Sequence, residues 1–165
     1  MKEYWDLYDA AGRFTKETLL RGEPVPKERY HKVVHIWVRN SNDELLIQKR
    51  SDKVTWKPGA WAVTSGSVVS GEDEIIAALR EMEEELGLKV LPEELRFLFC
   101  MRRRDTFCYV YLVKADIPVG ELTLQEAEVA DAKWMRPEEI EKEMKAGTFH
   151  RYDYYELLHK FLEFE

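Results

Sequence analysis

The chain has 165 residues, of which 45% are hydrophobic and 12% aromatic, a size and composition that suit one compact domain with a substantial buried core. Its formal net charge of -7 argues against nucleic acid as a partner, because a nonspecific duplex-binding surface requires a dense basic face. Cys100 and Cys108 form neither a close pair nor a zinc-finger spacing with a histidine, so neither a disulfide framework nor structural zinc is indicated.

Targeting segments are not indicated. Residues 1–20 carry charges throughout and show no continuous apolar stretch resembling a signal peptide. No segment approaches the ~20 apolar residues of a membrane span. We therefore expect a cytoplasmic protein that does not bind membranes. Because no repeat or long linker divides the chain, we also expect a single domain over residues 1–165.

The first half of the chain predicts strands, over residues 4–8, 13–15, 33–39, 44–49 and 61–69. The first two form an N-terminal hairpin over residues 4–15, and a proline-bearing loop follows it. The next two form a second hairpin, because Asn40-Ser41-Asn42-Asp43 between them has typical turn chemistry.

A helix is predicted over residues 72–86. Its apolar residues recur at spacings of four, three and four and form one stripe: Ile75, Leu79, Met82 and Leu86. Ser70 with Asp73 fits a capping box at its start, and Gly87 suits the left-handed turn at its end.

The rest of the chain predicts strands over residues 96–103, 107–117 and 129–135 and helices over residues 137–145 and 152–162. The resulting fold class is α/β of the α+β type, with a mixed sheet flanked by helices.

Three glutamates of the predicted helix share a face. At ~100° per residue, Glu81, Glu84 and Glu85 fall within an arc of ~100°, away from the apolar stripe. Like charges at this spacing destabilise a helix by ~0.2 to 0.5 kcal/mol per pair. A bound divalent cation would reverse that effect, and magnesium prefers such carboxylate ligands. The alternative is an ordinary solvated acidic face.

The surrounding sequence favours the metal site. From Gly66 the chain reads GSVVSGE, then seven residues, then REMEEELGL. This stretch, residues 66–88, resembles the complete box of the Nudix hydrolases: G, five residues, E, seven residues, and R-E-U-x-E-E-x-G-U, where U is bulky and aliphatic. The resemblance implies a Nudix fold, with a mixed sheet sandwiched between helices (α/β/α). It also implies metal-dependent hydrolysis of a diphosphate linkage in a nucleoside diphosphate derivative or a related organic diphosphate.

The resemblance implies a set of metal ligands for Mg²⁺, or Mn²⁺ in its place: the backbone carbonyl of Ser65 and the side chains of Glu81, Glu84 and Glu85. The ions would neutralise substrate oxygens and lower the pKa of the attacking water. The general base is expected to be Glu84, Glu85 or Glu128, the last of which stands where many members carry a glutamate after the box.

Other box residues are expected to support this site. Arg80 would orient Glu81 by a charge-assisted hydrogen bond, and Glu72 would support the loop. Gly66 and Gly87 are expected to have a structural role in the backbone rather than a chemical one. Since many members pair as dimers, a homodimer is one expectation for the assembly.

Substrate contacts are less well marked. Arg102, Arg103 and Arg104 form the only dense basic run of the sequence and could hold phosphates. Several aromatic residues could stack a base, although such residues more often pack in a core or rim. They are Trp37, Trp56, Trp61, Phe107 and Tyr109.

Two rival functions stay open. The region upstream of the box, including His31 and His35, resembles the branch related to isopentenyl diphosphate isomerase. That isomerase needs a cysteine immediately before the box glycine and a histidine immediately after it. This chain has Ser65 and Ser67 at those positions. A non-catalytic diphosphate-binding domain is the second rival, since a fold can retain ligand recognition without chemistry. For the two histidines, packing within strands is the ordinary expectation.

Overall fold

A computed structural model describes residues 2–163. The strands of this part of the chain are β1 (Tyr4–Tyr8), β2 (Phe14–Leu20), β3 (His31–Arg39), β4 (Leu45–Arg50), β5 (Trp61–Ala62), β6 (Thr64–Ser67), β7 (Arg96–Arg102), β8 (Thr106–Lys114) and β9 (Val129–Met135). Its α-helices are α1 (Glu74–Leu86), α2 (Pro137–Ala146) and α3 (Tyr155–Glu163). None of these helices combines the length and the apolar character of a membrane span.

The main sheet is mixed, as predicted, and β3 lies at its centre. β3 runs parallel to β8, from the pair His31 and Thr106 to the pair Arg39 and Lys114, and antiparallel to β6. β4 pairs with β5 and β9. The predicted hairpin of β3 and β4 is only partly formed. The two strands pair at Arg39 and Leu45 and then separate, because β6 takes the adjoining edge of β3.

The sheet lies between helices on both faces. On one face Val34, Ile36 and Val38 of β3 pack in a core cluster with the buried residues of α1. On the other face Trp37 packs in a cluster with Ile140 of α2 and Leu158 and Leu162 of α3. This alternation along β3 follows from the two-residue period of a strand. The predicted α/β/α arrangement with a mixed sheet is confirmed.

A two-stranded N-terminal hairpin, β1 and β2, is fastened to the loop before α1. Its second strand extends to Leu20, further than the predicted residue 15. The backbone N–H of Ser70 donates to the carbonyl of Tyr4 at 2.7 Å. The Ser70 hydroxyl donates to Asp6 Oδ1 at 2.6 Å, and the backbone N–H of Gly71 donates to Asp6 Oδ2 at 3.1 Å.

The start of α1 differs from the prediction. Asp73 caps the helix by accepting from the backbone N–H of Ile76, whereas Ser70 is occupied by its bond to the N-terminal hairpin. Ile75 is exposed, so the predicted apolar stripe is wrong at that position. The buried face consists of Ala77, Ala78, Met82, Glu85 and Leu86. Small alanines let the helix lie close to the sheet, which bulk hydrophobicity does not reveal. The prediction for Gly87 is correct, since it ends α1 at a φ of 66°.

Candidate active site

Arg80 joins the loop before α1 to the glutamates of the helix. Its Nε and Nη2 donate to the two oxygens of Glu72 at 2.9 and 3.0 Å. Nη2 also donates to the carbonyl of Ser67 at 3.0 Å. Nη1 donates to Glu81 Oε1 at 2.7 Å and to Glu84 Oε2 at 3.2 Å. One guanidinium therefore fixes both the loop and the direction of the Glu81 carboxylate.

Gly66 leaves the space that Glu81 occupies. A Cβ added at Gly66 would lie 1.9 Å from Glu81 Oε1 and 2.5 Å from its Cγ. Because Arg80 holds this carboxylate, Glu81 cannot simply move aside for a larger residue. Ser65 precedes Gly66 in β6, so its carbonyl belongs to the peptide that joins these two residues.

Glu85 lies on the buried side of α1, with 2% of its surface exposed. The expectation that all three glutamates point away from the apolar stripe is therefore wrong for Glu85, which is buried beside Leu86 against the sheet. Gln48 Nε2 donates to Glu85 Oε2 at 2.7 Å, and the Thr64 hydroxyl donates to Gln48 Oε1 at 3.1 Å. The sequence gives no sign of these contacts of Gln48 and Thr64, because isolated polar residues within strands carry no motif.

The surroundings of Glu81 and Glu85 disfavour the ionised form of both carboxyl groups, because their pKa values are raised. Burial raises the pKa of Glu81 to about 7, against the lowering effect of Arg80, while Glu84 and Glu128 raise it further. Burial likewise raises the pKa of Glu85 to about 8, and the charges of Glu81 and Glu128 act in the same direction. Glu128 is thus close enough to affect both carboxylates.

This donor set fits a divalent cation in its chemistry. Carboxylate oxygens are hard ligands, and a cation among them would offset their mutual repulsion. Within residues 2–163, no three such side chains already converge on one point as a finished metal site. Glu81 and Glu84 approach Arg80, whereas Glu85 turns toward Gln48. Glu84 is 51% exposed and is the freest of the three to reorient.

Two residues of the arginine run, Arg102 and Arg103, bind partners away from the box glutamates. Arg102 donates to the carbonyl of Ala10 at 3.1 Å. Arg103 pairs with Asp153 and lies over the Tyr154 ring, 5.5 Å from its centroid. Arg104 is exposed. The structure does not join Arg102 or Arg103 to the box glutamates by any hydrogen bond or ion pair found in the described part of the chain.

Trp56 lies in a cluster of basic side chains that sequence analysis did not associate with it. It is 51% exposed, and its ring lies 5.2 Å from the Arg50 guanidinium and 5.3 Å from Lys57 Nζ. The His150 ring meets it edge-on at 4.8 Å. Arg50 Nε also donates to the Trp56 carbonyl at 2.9 Å. While burial raises the pKa of Glu85, the charge of Arg50 opposes that rise, so this cluster reaches toward the glutamates.

The two strand histidines are packed. His35 Nδ1 lies 2.7 Å from the Tyr154 hydroxyl, which also accepts a hydrogen bond from Trp37 Nε1 at 3.2 Å. Burial lowers the pKa of His35 to about 3, so the ring is neutral at ordinary pH. His31 stacks on Trp5, with ring centroids 3.9 Å apart. Both histidines thus have structural partners.

Comparisons with known proteins agree with this geometry. The NUDIX domain family matches residues 29–158. An uncharacterized Nudix hydrolase of Listeria monocytogenes, lmo0368, is 36% identical over 149 residues, which cover 89% of this chain and 88% of that protein. The crystal structure of DR0079 from Deinococcus radiodurans superposes with a TM-score of 0.80 at 28% identity, covering 96% of this chain and 98% of that one. An Ap4A hydrolase from C. elegans shares the fold, with a TM-score of 0.57 at 20% identity, covering 80% of this chain and 96% of that one.

Proposed function

The chain belongs to the Nudix hydrolase family, and on that premise we propose that it cleaves the diphosphate linkage of a nucleoside diphosphate derivative or a related organic diphosphate with the aid of Mg²⁺ bound at α1. The observation that carries the proposal is a pair of carboxylates, partly buried Glu81 and buried Glu85, held by separate donors beside a box with all its charged residues. Family membership supplies the reaction class. The ion and the substrate are the proposed part.

In this proposal Glu81, Glu84, Glu85 and the carbonyl of Ser65 hold the metal, with Mn²⁺ as a substitute ion. The bound ion would supply charge neutralisation at the phosphate oxygens and a water of lowered pKa. Arg80 keeps one Glu81 oxygen engaged and leaves the other for ligation. Glu72 contributes through Arg80, which it holds with both carboxylate oxygens.

Proton removal from the attacking water is assigned to a carboxylate of the same cluster: Glu84, Glu85 or Glu128. The electrostatic effect of Glu128 on both buried glutamates supports its inclusion. The exposure of Glu84 supports that residue as well, since a base must reach a water above the buried pair.

Trp56 is proposed as the substrate contact outside the box. An exposed indole flanked by Arg50 and Lys57 suits a flat base attached to an anionic diphosphate. Arg102, Arg103 and Arg104 are weaker candidates, because Arg103 is already paired with Asp153 and Arg102 with a backbone carbonyl.

Hydrolysis is preferred over isomerisation of isopentenyl diphosphate. Ser65 and Ser67 occupy the positions at which the isomerase needs a cysteine and a histidine. A serine hydroxyl is a far weaker acid than a thiol and does not replace either group in proton transfer.

The proposal is tested by incubating the protein with Mg²⁺ and a panel of nucleotide sugars, dinucleoside polyphosphates, ADP-ribose, nucleoside di- and triphosphates and isoprenoid diphosphates. We expect phosphorylated fragments from at least one substrate, and no product once the metal is chelated. Binding without any product over hours would favour a non-catalytic domain. Formation of dimethylallyl diphosphate would favour the isomerase.

A cytoplasmic location and a homodimeric assembly also belong to the proposal. Sedimentation of the purified protein tests the assembly, and a monomer at micromolar concentration would contradict it.

A further inference from the structure

Three elements meet at one buried hydrogen-bonded chain beneath the candidate active site. Gln48 lies on β4, Thr64 on β6 and Glu85 on α1, and all three are buried. The Thr64 hydroxyl donates to Gln48 Oε1 at 3.1 Å, and Gln48 Nε2 donates to Glu85 Oε2 at 2.7 Å. The chain therefore runs from the sheet to the helix and ends on a carboxylate.

The direction of the chain is fixed when Glu85 is ionised, as metal ligation requires. An ionised carboxylate can only accept hydrogen bonds, so the NH₂ group of Gln48 then faces Glu85. The amide oxygen then faces Thr64, whose hydroxyl must donate. Each group has a single consistent role, which restricts the amide to one orientation and Glu85 to one side-chain position.

The Gln48 amide engages one carboxylate oxygen of Glu85, Oε2. Metal ligation in the proposed function would use the other oxygen, Oε1. Packing alone would be served by an apolar residue at position 48, since a buried amide must be hydrogen-bonded to offset the cost of its desolvation. A buried glutamine here makes physical sense if the carboxylate it holds has to be presented at a defined angle.

We propose that Gln48, oriented by Thr64, is a positioning residue that holds the Glu85 carboxylate in place for metal ligation. The inference rests on the proposed function, in which Glu85 is a metal ligand. Gln48 contacts neither the ion nor the substrate and acts only through Glu85. Partners of this kind typically change metal affinity by about 10- to 100-fold when they are removed.

The test measures Mn²⁺ binding to the metal-free protein by electron paramagnetic resonance, without substrate. We expect Gln48→Leu to weaken binding by about 10- to 100-fold. Thr64→Val should weaken it less, because the amide remains, and Thr64→Ser should bind as the unaltered protein does, because the hydroxyl remains. Gln125→Leu is the matched control, since the Gln125 side chain is exposed. Urea unfolding in chelator identifies any variant that fails to fold.

A second arm tests whether Gln48 acts through Glu85. In a Glu85→Gln background, Gln48→Leu should cause little further loss of Mn²⁺ affinity, because the group it positions is already gone. Turnover of the single variant Gln48→Leu should recover at high Mn²⁺ concentration, whereas a general folding defect would not.

The outcomes separate this inference from the proposed function. If Gln48→Leu binds Mn²⁺ as tightly as the unaltered protein, the positioning role is wrong even when hydrolysis is observed. If the unaltered protein binds Mn²⁺ and Gln48→Leu does not, the role stands even when no substrate is cleaved. Absence of Mn²⁺ binding by the unaltered protein would overturn both.

Discussion

The two faces of the central sheet bury titratable groups in opposite ways. On the face toward α2 and α3, His35, Trp37 and Tyr154 form a hydrogen-bonded network of neutral groups. On the face toward α1, partly buried Glu81 and buried Glu85 are neighbouring carboxylates, each with its own donor. The first arrangement satisfies its members internally. The second gathers carboxyl groups whose ionisation burial disfavours and a bound cation would favour.

Burial by itself therefore does not distinguish a structural group from a functional one. Burial lowers the pKa of His35 to about 3 and raises that of Tyr154 well above its ordinary value, so both groups stay uncharged and need no counter-ion. Burial and neighbouring carboxylates raise the pKa of Glu81 and Glu85, so an added cation would favour the ionised form of both groups.

The largest effect should come from the α1 face. Glu85→Gln is expected to lower Mg²⁺-dependent turnover by more than about 100-fold, because loss of a metal ligand should exceed the 10- to 100-fold effect of losing its supporting partner. Stability in chelator should be unchanged or higher, since the substitution removes a carboxyl group whose ionisation burial disfavours. Steady-state kinetics and urea unfolding measure the two quantities.

Glu83→Gln is the matched control, because Glu83 lies on the same helix with its side chain exposed. If Glu85→Gln has the same turnover as the unaltered protein, Glu85 is not a metal ligand. The α1 face would then not differ in function from the opposite face.

A substitution on the face toward α2 and α3 should lower the unfolding free energy without changing turnover. Tyr154→Phe leaves His35 Nδ1 and Trp37 Nε1 without their shared partner, which should cost about 1 to 3 kcal/mol of unfolding free energy. Turnover per folded molecule should not change. Urea unfolding and kinetics test this, with Tyr4→Phe as an exposed control. A large loss of turnover with intact stability would give the α2 and α3 face a direct role.

Acid should weaken the His35 network in a defined pH range. The pKa of His35 is about 3 in the folded state and 6.5 ordinarily, so below pH 6.5 the unfolded chain takes up a proton that the folded protein excludes. Unfolding free energy should then fall by up to about 1.4 kcal/mol per pH unit as pH drops from 6.5 toward 3. Urea unfolding at several pH values between 7 and 4 measures this dependence. The unfolding free energy of His35→Gln should fall less steeply with decreasing pH than that of the unaltered protein. The same pH dependence of unfolding free energy in both proteins would contradict the role given to His35.

The smallest effect should occur at the rim. Trp56→Leu is expected to raise KM by about 2- to 10-fold for a substrate with an aromatic base, because stacking contributes about 0.5 to 1.5 kcal/mol. The turnover number should hardly change. Phe97→Leu, another exposed aromatic, is the control. An equal effect of both substitutions would remove Trp56 from the substrate contacts.

Local sequence signals predicted most of the fold. The predicted strands over residues 33–39, 107–117 and 129–135 match β3, β8 and β9 within a few residues, and Gly87 marked the end of α1. The start of α1 was misplaced because Ser70 is drawn away by Asp6, a residue from a distant hairpin. Capping residues compete for partners in three dimensions, which spacing along the chain does not encode.

In the candidate active site, too, some residues could be predicted from local sequence and others depend on the three-dimensional fold. The box predicted Arg80 and the glutamates, since their spacing on one helix is local information. Gln48 and Thr64 lie outside the box, and their contact depends on how β4 and β6 are arranged around β3. The same is true of Trp56 and His150, which meet only because the segment after α2 returns beside β5.

The N-terminal hairpin has a practical consequence for anyone who shortens the chain. The family match spans residues 29–158, yet Asp6 holds the loop that leads into α1, and the carbonyl of Leu162 accepts from Arg39 at 2.9 Å. A fragment cut at the family boundaries would keep every box residue and lose both of these anchors. Its loop before α1 would have to find its shape without Asp6, so weak activity in such a fragment would reflect the missing ends.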